Sequence, residues 1–467
     1  MGTQQEQLSG LNPITLRKRV EQLAAQQGVR QWDLGASCGT DTSVQVDRGE
    51  AKQMKGAQRS AITIRVWNQD GLVGVTSTSD LSDAGLVVAL ASAQEASPFG
   101  NEQDTPAFSP LAKAPVAQLE QPIRPQWSIL DLLESLKDAE RQVLDRLPSI
   151  GTLPYNGLAQ RESKRIYLNS EGACRHQHLT TASLYLYARA EEAGRKPRSA
   201  GAVRLAYGTD DLDIFGCAEE AASRTLDHLD YAPISTGRYV CVFSPESFLD
   251  LIGAFSGMFN ARSVLDGVSL SRRESLGDMV AIPFLSIYDN ALHPNHIGAI
   301  AFDGEGTPTK RLALVEDGVL KNFMHSEATA RAFSVSPTGH AGMGAKVSVG
   351  PDWFEVGPNP GNTGGQQGLD RFSSSGHSHT DAAGLVLIDS LSALHAGVKP
   401  SQGSFSLPFD GWLIRGGERR SIEAATVAGD IRDLLKSIVG FEGAAVTTPD
   451  GISPHVWVEG LSITGEA

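Results

Sequence analysis

Hydrophobic and polar positions follow two periods along this chain, and the switches between them mark its elements. Pro13 opens a stretch where Leu16, Val20 and Leu23 recur at helical spacing, with Arg17, Lys18, Arg19 and Glu21 on the other side. From Ser43 the period falls to two: Val44 and Val46 lead to a turn at Gly49, and Ile62, Ile64 and Val66 resume the alternation. Gln69-Asp70-Gly71 predicts a hairpin returning along Leu72, Val73 and Val75. Thr78-Ser79-Asp80 then stands where a cap belongs, before a helix burying Leu86, Val87, Leu90 and Ala93. Residues 1–96 thus read as one α+β unit.

Prolines at 98, 106, 110, 115, 122 and 125 exclude a helix or central strand, so 97–125 reads as an extended surface linker. Residues 126–235 repeat the first plan. They give an amphipathic helix at 127–146, strands at 165–169 and 182–190, and a helix at 213–229, which suggests a duplication without a residue-level repeat. The rest, 236–467, is β-rich. Gly237–Phe243 is a buried strand leading into a short apolar helix with Ser247, Phe248, Leu249, Leu251, Ile252 and Phe255.

Between Ala299 and Gly342, Asp303-Gly304 and Asp317-Gly318 interrupt apolar alternation, the strongest short hairpin signal. Strands are expected at 310–316 and 319–325, followed by a helix Glu327–Phe333 capped by Ser326 and ending near Pro337 and Gly339. Residues 357–379, rich in Gly, Ser, Pro, Gln and Asn, read as a long loop. Order returns at 384–390, 405–414, 420–424, a helix at 431–439 and a last strand at 456–463. The fold class is α+β: N-terminal strand and helix units in an arrangement that suggests duplication, then a β-rich C-terminal domain.

Composition narrows the function classes. A net charge of −14, without a Lys/Arg run longer than the triplet Arg17–Arg19, argues against a nucleic-acid surface. Cys38, Cys174, Cys217 and Cys241 lie far apart with no C-x-x-C pair, which suits a reducing cytosol and not a disulfide framework or Cys-rich zinc module. No apolar run approaches the ~18 residues of a membrane span. A cytoplasmic protein is expected.

The segments Phe302-Asp303-Gly304-Glu305-Gly306, Glu316-Asp317-Gly318-Val319-Leu320 and Thr338-Gly339-His340-Ala341-Gly342 resemble the C-terminal domain of the TldD/PmbA family, the modulators of DNA gyrase. Residues 67–82, Gly411-Trp412 and Thr426-Val427-Ala428-Gly429-Asp430 extend the likeness over most of the chain. The resemblance implies a metallopeptidase context. The TldD branch carries H-E-x-x-x-H, two zinc ligands and a Glu that activates water. The matching stretch here is Ile252-Gly253-Ala254-Phe255-Ser256-Gly257: Ile252 and Gly257 replace the histidines and Gly253 the Glu. No histidine lies between His228 and His293. The resemblance therefore implies the PmbA/TldE branch: a non-catalytic subunit, without a cofactor of its own, whose TldD-like partner carries zinc and whose substrate is unfolded peptide. A peptide-binding or regulatory homodimer is the alternative, and an independent hydrolase the second. Neither nucleic acid nor membrane is an expected partner.

Contacts to substrate or partner are expected, if anywhere, at Ser256, Gly257, Asp303, Glu305 and His340, with no catalytic or metal-ligating residue. Each has a plainer reading. The small residues at 253–257 suit close backbone packing. Asp303 and Glu305 are either an acid/base pair or carboxylates bonded to turn N–H groups. His340 is a satisfied histidine or a contact. His293 and His296, with Asp289 upstream, have ligand types at loop spacing, and His377 and His379 lie in the Gly/Ser loop. Ser256, Asp303 and His340 are triad types without a G-x-S-x-G elbow, and Gly344-Ala345-Lys346 lacks the ending of a phosphate loop.

Overall fold

The computed structural model describes residues 12–100, 107–146, 149–343, 347–359, 384–416 and 418–465. Two compact units divide the chain. The first runs to Thr225 and also takes in Ile297–Thr309 and His325–Val349; the second holds Leu226–His296, Lys310–Met324 and the chain from Gly350 onward. The 299–342 stretch is therefore shared out, its flanks in the first unit and its hairpin in the second.

The first unit uses one plan twice. Helix α1 (Pro13–Gln26), strands β1 (Gln31–Asp47), β2 (Glu50–Trp67) and β3 (Val73–Thr78) and helix α2 (Asp83–Ala96) are followed by α3 (Ile129–Asp145), β4 (Ile150–Asn169), β5 (Cys174–Ala190), β6 (Arg198–Ala206) and α4 (Ile214–Asp227). The strands form one antiparallel sheet in the order β3-β2-β1-β4-β5-β6. Its mirror order places the seam at β1 and β4, where Asp33 faces Asn169 and Val44 faces Leu158. Strand alternation sends Trp32, Leu34, Ala36 and Cys38 into a core with Leu16, Val20, Ile62, Ile64, Leu86, Leu90 and Ile166. The odd-numbered residues of β1 point to the opposite face.

Three local differences have physical causes. Ser82, not the Thr78–Asp80 run, caps α2 by accepting the Gly85 N–H at 3.1 Å, while Thr78 and Asp80 accept the N–H groups of Asp80 and Ser82 and form a tight preceding turn. Strand β6, RSAGAVRLA, has small residues where apolar alternation would announce it, and so escapes a periodicity reading. The proline-rich stretch is extended but not a surface linker along 107–126. Ala112 packs with Tyr167, Ala173, Ala301 and Phe302, and the Phe108 ring meets Trp67 edge-on at 4.9 Å. At 110–114 the chain turns, with the Ala112 and Ala114 N–H groups bonding the carbonyls of Ser109 and Leu111, and the Arg175 guanidinium also donates to the carbonyls of Leu111 and Ala114.

The second unit is built on a sheet of thirteen strands among the described residues. Gly237–Phe243 sits inside it, antiparallel to Gly451–Gly465 and parallel to Leu385–Leu391. The strand Ile438–Thr448, which pairs with Gly451–Gly465 through two register shifts, is hidden in sequence by its run of Glu, Gly, Ala and Thr. Asp317 and Gly318 form the expected tight turn, with φ of +48° and +80°. The hairpin is shorter than the alternation suggests. Arg311–Glu316 is met only by Val319–Leu320, because Met324 turns away to bond the Phe259 carbonyl and the Ala261 N–H.

Gly318 has a second constraint: a Cβ there would lie 2.6 Å from the carbonyl oxygens of Ala281 and Ile282. Gly71 has a similar φ of +79° but open space around it. Gly318→Ala is expected to cost more than the ~1–2 kcal/mol of a left-handed non-glycine residue, and Gly71→Ala only about that amount. Urea denaturation of the two variants measures the difference.

Candidate functional site

The stretch aligned with the zinc helix begins at Ser244, whose hydroxyl accepts the Ser247 N–H at 3.1 Å and opens helix α5 (Pro245–Ala254) with Pro245 in its first turn. Phe248, Leu249, Leu251 and Ile252 anchor the helix in the core. It stops at Ala254. Phe255, itself buried and edge-on to Phe405, leads into a 3-10 turn, Ser256–Phe259, and Asn260 caps α6 (Ala261–Leu265). Ile252 is 1% exposed and apolar, while Gly253 and Gly257 are half-buried. A Cβ at Gly253 would meet nothing within 4 Å, and one at Gly257 only the Ser263 hydroxyl at 3.9 Å. Close packing therefore does not explain these glycines, contrary to the plainer sequence reading. Isoleucine and glycine offer no donor atoms, so the residues at this position do not fit a zinc ion. Ser256 is half-buried beside Gly257, whose carbonyl accepts the Ser269 hydroxyl at 2.9 Å.

In the first unit, Asp303 lies within electrostatic reach of Glu305 and His340, and Glu305 in turn meets a buried cation. The Arg65 guanidinium, 1% exposed, donates two bonds to Asp33 at 2.9 and 2.5 Å and one to Glu305 at 3.3 Å. The Tyr167 hydroxyl donates to Asp33 at 3.1 Å. The second oxygen of Glu305 accepts the Glu327 N–H at 2.7 Å, at the first turn of α7 (Glu327–Phe333). Asp303 accepts three backbone N–H groups, from Glu305, Thr307 and Ala341, at 2.8, 2.9 and 3.0 Å. His340 Nδ1 bonds the Thr338 hydroxyl at 2.8 Å, and Thr338 also receives the His325 N–H.

The guanidinium is shared unequally by two carboxylates, while Asp303 is held by backbone N–H groups. Asp33 holds two of its N–H groups and Glu305 one. Burial pushes Glu305 up to about 7, opposed by Arg65 and reinforced by Asp303. Asp303 rises to about 6 through burial, opposed by its three N–H donors. Burial and the neighbouring His340 push His325 down to about 4.

The remaining candidates are scattered. His293 and His296 stack on Trp353 at 4.6 and 5.5 Å, and His296 Nε2 lies 3.5 Å from Asp352. Asp289 is fully buried and accepts the N–H groups of Asp352 and Trp353. Among the described residues, no three His, Cys, Asp or Glu side chains converge as metal ligands. Ser256 belongs to the second unit, whereas Asp303 and His340 belong to the first. His377, His379 and Gly344-Ala345-Lys346 lie outside the described residues. A titratable group missed in sequence is Asp250 on α5, pushed up to about 7 by burial and by Glu246 and Asp450. The legible signal was two acids four apart on one helix, Glu246 and Asp250.

These charges make three predictions. Arg65→Met leaves buried carboxylates without their cation and should cost about 3–5 kcal/mol at pH 8, and less at pH 5, where the acids can protonate. For Glu305, whose folded value of about 7 stands above the ordinary 4.5, stability is fully present below pH 4.5 and is lost as the pH rises through 7. Melting curves of the wild type from pH 4.5 to 8 should therefore fall more steeply than those of Glu305→Gln. By the same sign, with an ordinary value of 3.8 and a folded value of about 7, Asp250→Asn should raise the melting temperature most at pH 8, less at pH 5, and leave it nearly unchanged only below pH 3.8.

Known proteins carry the same domains. The model of the PmbA/TldA metallopeptidase C-terminal domain matches residues 236–465, and that of the central domain matches 124–229. The metalloprotease PmbA of Escherichia coli O157:H7 is 25% identical over 420 residues, covering 87% of this chain and 86% of that protein. A metalloprotease of Methanocaldococcus jannaschii is 28% identical over 38% of this chain and 40% of its own length. Among solved structures, a candidate modulator of a DNA gyrase from Thermotoga maritima superposes with a TM-score of 0.83 at 25% identity, over 96% of this chain and 99% of that one. TldE from Thermococcus kodakarensis gives 0.81 at 18% identity, over 97% and 99%, a likeness of fold. The chain belongs to the PmbA/TldD metallopeptidase family.

Proposed function

We propose that this chain is the PmbA/TldE-like, non-catalytic subunit of a two-component metallopeptidase that processes unfolded peptides in the cytoplasm, with zinc carried by a TldD-like partner. The observation that carries the reading is chemical. At the positions aligned with the two ligands and the base stand Ile252, Gly257 and Gly253, and none can hold a metal or move a proton. The half-buried glycines, with open space beside them, leave the backbone at Gly253 and Gly257 approachable by a peptide or by the partner. The role of this chain is then to bind, enclose and orient, while hydrolysis proceeds at the partner's metal.

Peptidase assays on a denatured, fluorescently labelled protein test this directly. The chain alone should be inactive, and mixing it with a TldD-like protein from the same cell should raise the activity at least tenfold above the sum of the parts. Introducing bulk at the proposed contact, as in Gly257→Trp, should lower that stimulation while the melting temperature stays close to wild type. Peptidase activity of the lone chain, whether or not chelation abolishes it, would contradict the reading.

A further inference from the structure

The face of the six-stranded sheet opposite the helices carries the outward residues of β1, and its two halves differ. Near Asp33 it is covered by the later segments of the same unit: a Cβ at Gly35 would lie 2.5 Å from Met343, and one at Gly306 would strike the Tyr167 ring. Past Gly39 the face is open. There a cavity of about 340 Å³ is lined by Asp41, Ser43, Lys55, Arg59, Arg161 and Leu205, over a floor of Ala159, Thr181 and Ser183.

The charges in this trough are arranged around one acid. Asp41 on β1 is shared by Arg59 of β2, at 3.4 Å, and Arg161 of β4, which bonds its other oxygen. Both arginines remain exposed, at 64% and 57% for their side chains, whereas Asp41 is 25% exposed. Lys55 is exposed and has no ion-pair partner among the described residues. Three cations therefore face one carboxylate, in a chain whose net charge is −14. The small floor lets a ligand's backbone come close to the sheet, and Leu205, 43% exposed, offers an apolar wall at the far strand. From β2 to β6 the trough crosses four strand spacings, roughly 19 Å, the length of about six extended residues.

We infer that this trough binds an acidic, extended peptide segment, with Arg59, Arg161 and Lys55 taking its carboxylates and Asp41 holding the two guanidinium groups in place while the trough is empty. The inference refines the peptide-handling part of the proposed function and rests on it, but the binding itself requires neither a partner nor a metal. Charge complementarity selects the occupant. Three cations on an otherwise acidic protein are too few to hold a nucleic-acid backbone, which needs a longer basic track.

Fluorescence anisotropy on the full chain, with labelled octapeptides alternating Glu-Ala or Lys-Ala, tests this without any activity readout. The Glu-Ala peptide should bind saturably and weaken as salt rises, and the Lys-Ala peptide should not compete. Lys55→Ala combined with Arg161→Ala should weaken binding at least fivefold. Asp41→Asn, which frees both arginines, should tighten it severalfold, a direction that simple damage to the site would not produce. All three positions are on the surface, so melting temperatures should stay within a few degrees of wild type. Absence of saturable binding, indifference to the Lys55/Arg161 double substitution, weakening by Asp41→Asn, or equal competition by single-stranded DNA would each overturn the inference. The stimulation of a TldD-like partner is measured separately, so loss of one claim is distinguishable from loss of the other.

Discussion

The first unit depends on compensating one buried positive charge. Arg65 is 1% exposed, and a guanidinium in that position is tolerable only when its charge is paired and hydrogen-bonded. Asp33 supplies two and Glu305 one, so the cation joins β1 and β2 to a turn 240 residues further along the chain. Glu305 then passes the constraint on, because its other oxygen fixes the start of α7, while Asp303 gathers the N–H groups of its own turn and of Ala341. Such a cluster adds little net stability over well-packed apolar side chains. What it contributes is position: the 303–307 turn meets this sheet with the Glu305 carboxylate on the guanidinium.

This is also where the sequence stops being readable. Ile64 and Val66 announce the buried face of β2 by their alternation, and Arg65 between them looks like an ordinary outward residue. Nothing local says that the outward face will be covered. Asp303 and Glu305 likewise look like turn residues, and for Asp303 that is what the hydrogen bonds show, but the role of Glu305 needs a partner that no spacing rule connects to it. Elements whose signals are local came through well. Helix α1, the Asp317-Gly318 turn, the Ser326 cap and strand Gly237–Phe243 all stand where pattern and chemistry place them. Strands built from small residues, and a proline-rich stretch held by the carbonyl bonds of Arg175, did not.

The candidate functional helix illustrates a different limit. Its motif was legible as an absence: apolar and glycine residues where ligands would be. The reason for the glycines was not, since only the coordinates show that Gly253 and Gly257 border open space instead of a tight contact. A position with room for a side chain and none present is unlike a packed helix crossing. That geometry is what the proposed subunit role draws on: open backbone at α5, where the residues offer no metal ligands.

The central claim is that this chain supplies no metal site of its own and acts through a partner. Its most direct measurement is the zinc content of the purified, full-length chain after equilibration with zinc and removal of the excess, by elemental mass spectrometry. The account predicts well under 0.1 zinc per chain, unchanged by Ile252→Val, alongside about one zinc for each TldD-like subunit in the mixed complex. One tightly held zinc per lone chain, resistant to a weak chelator, would contradict it.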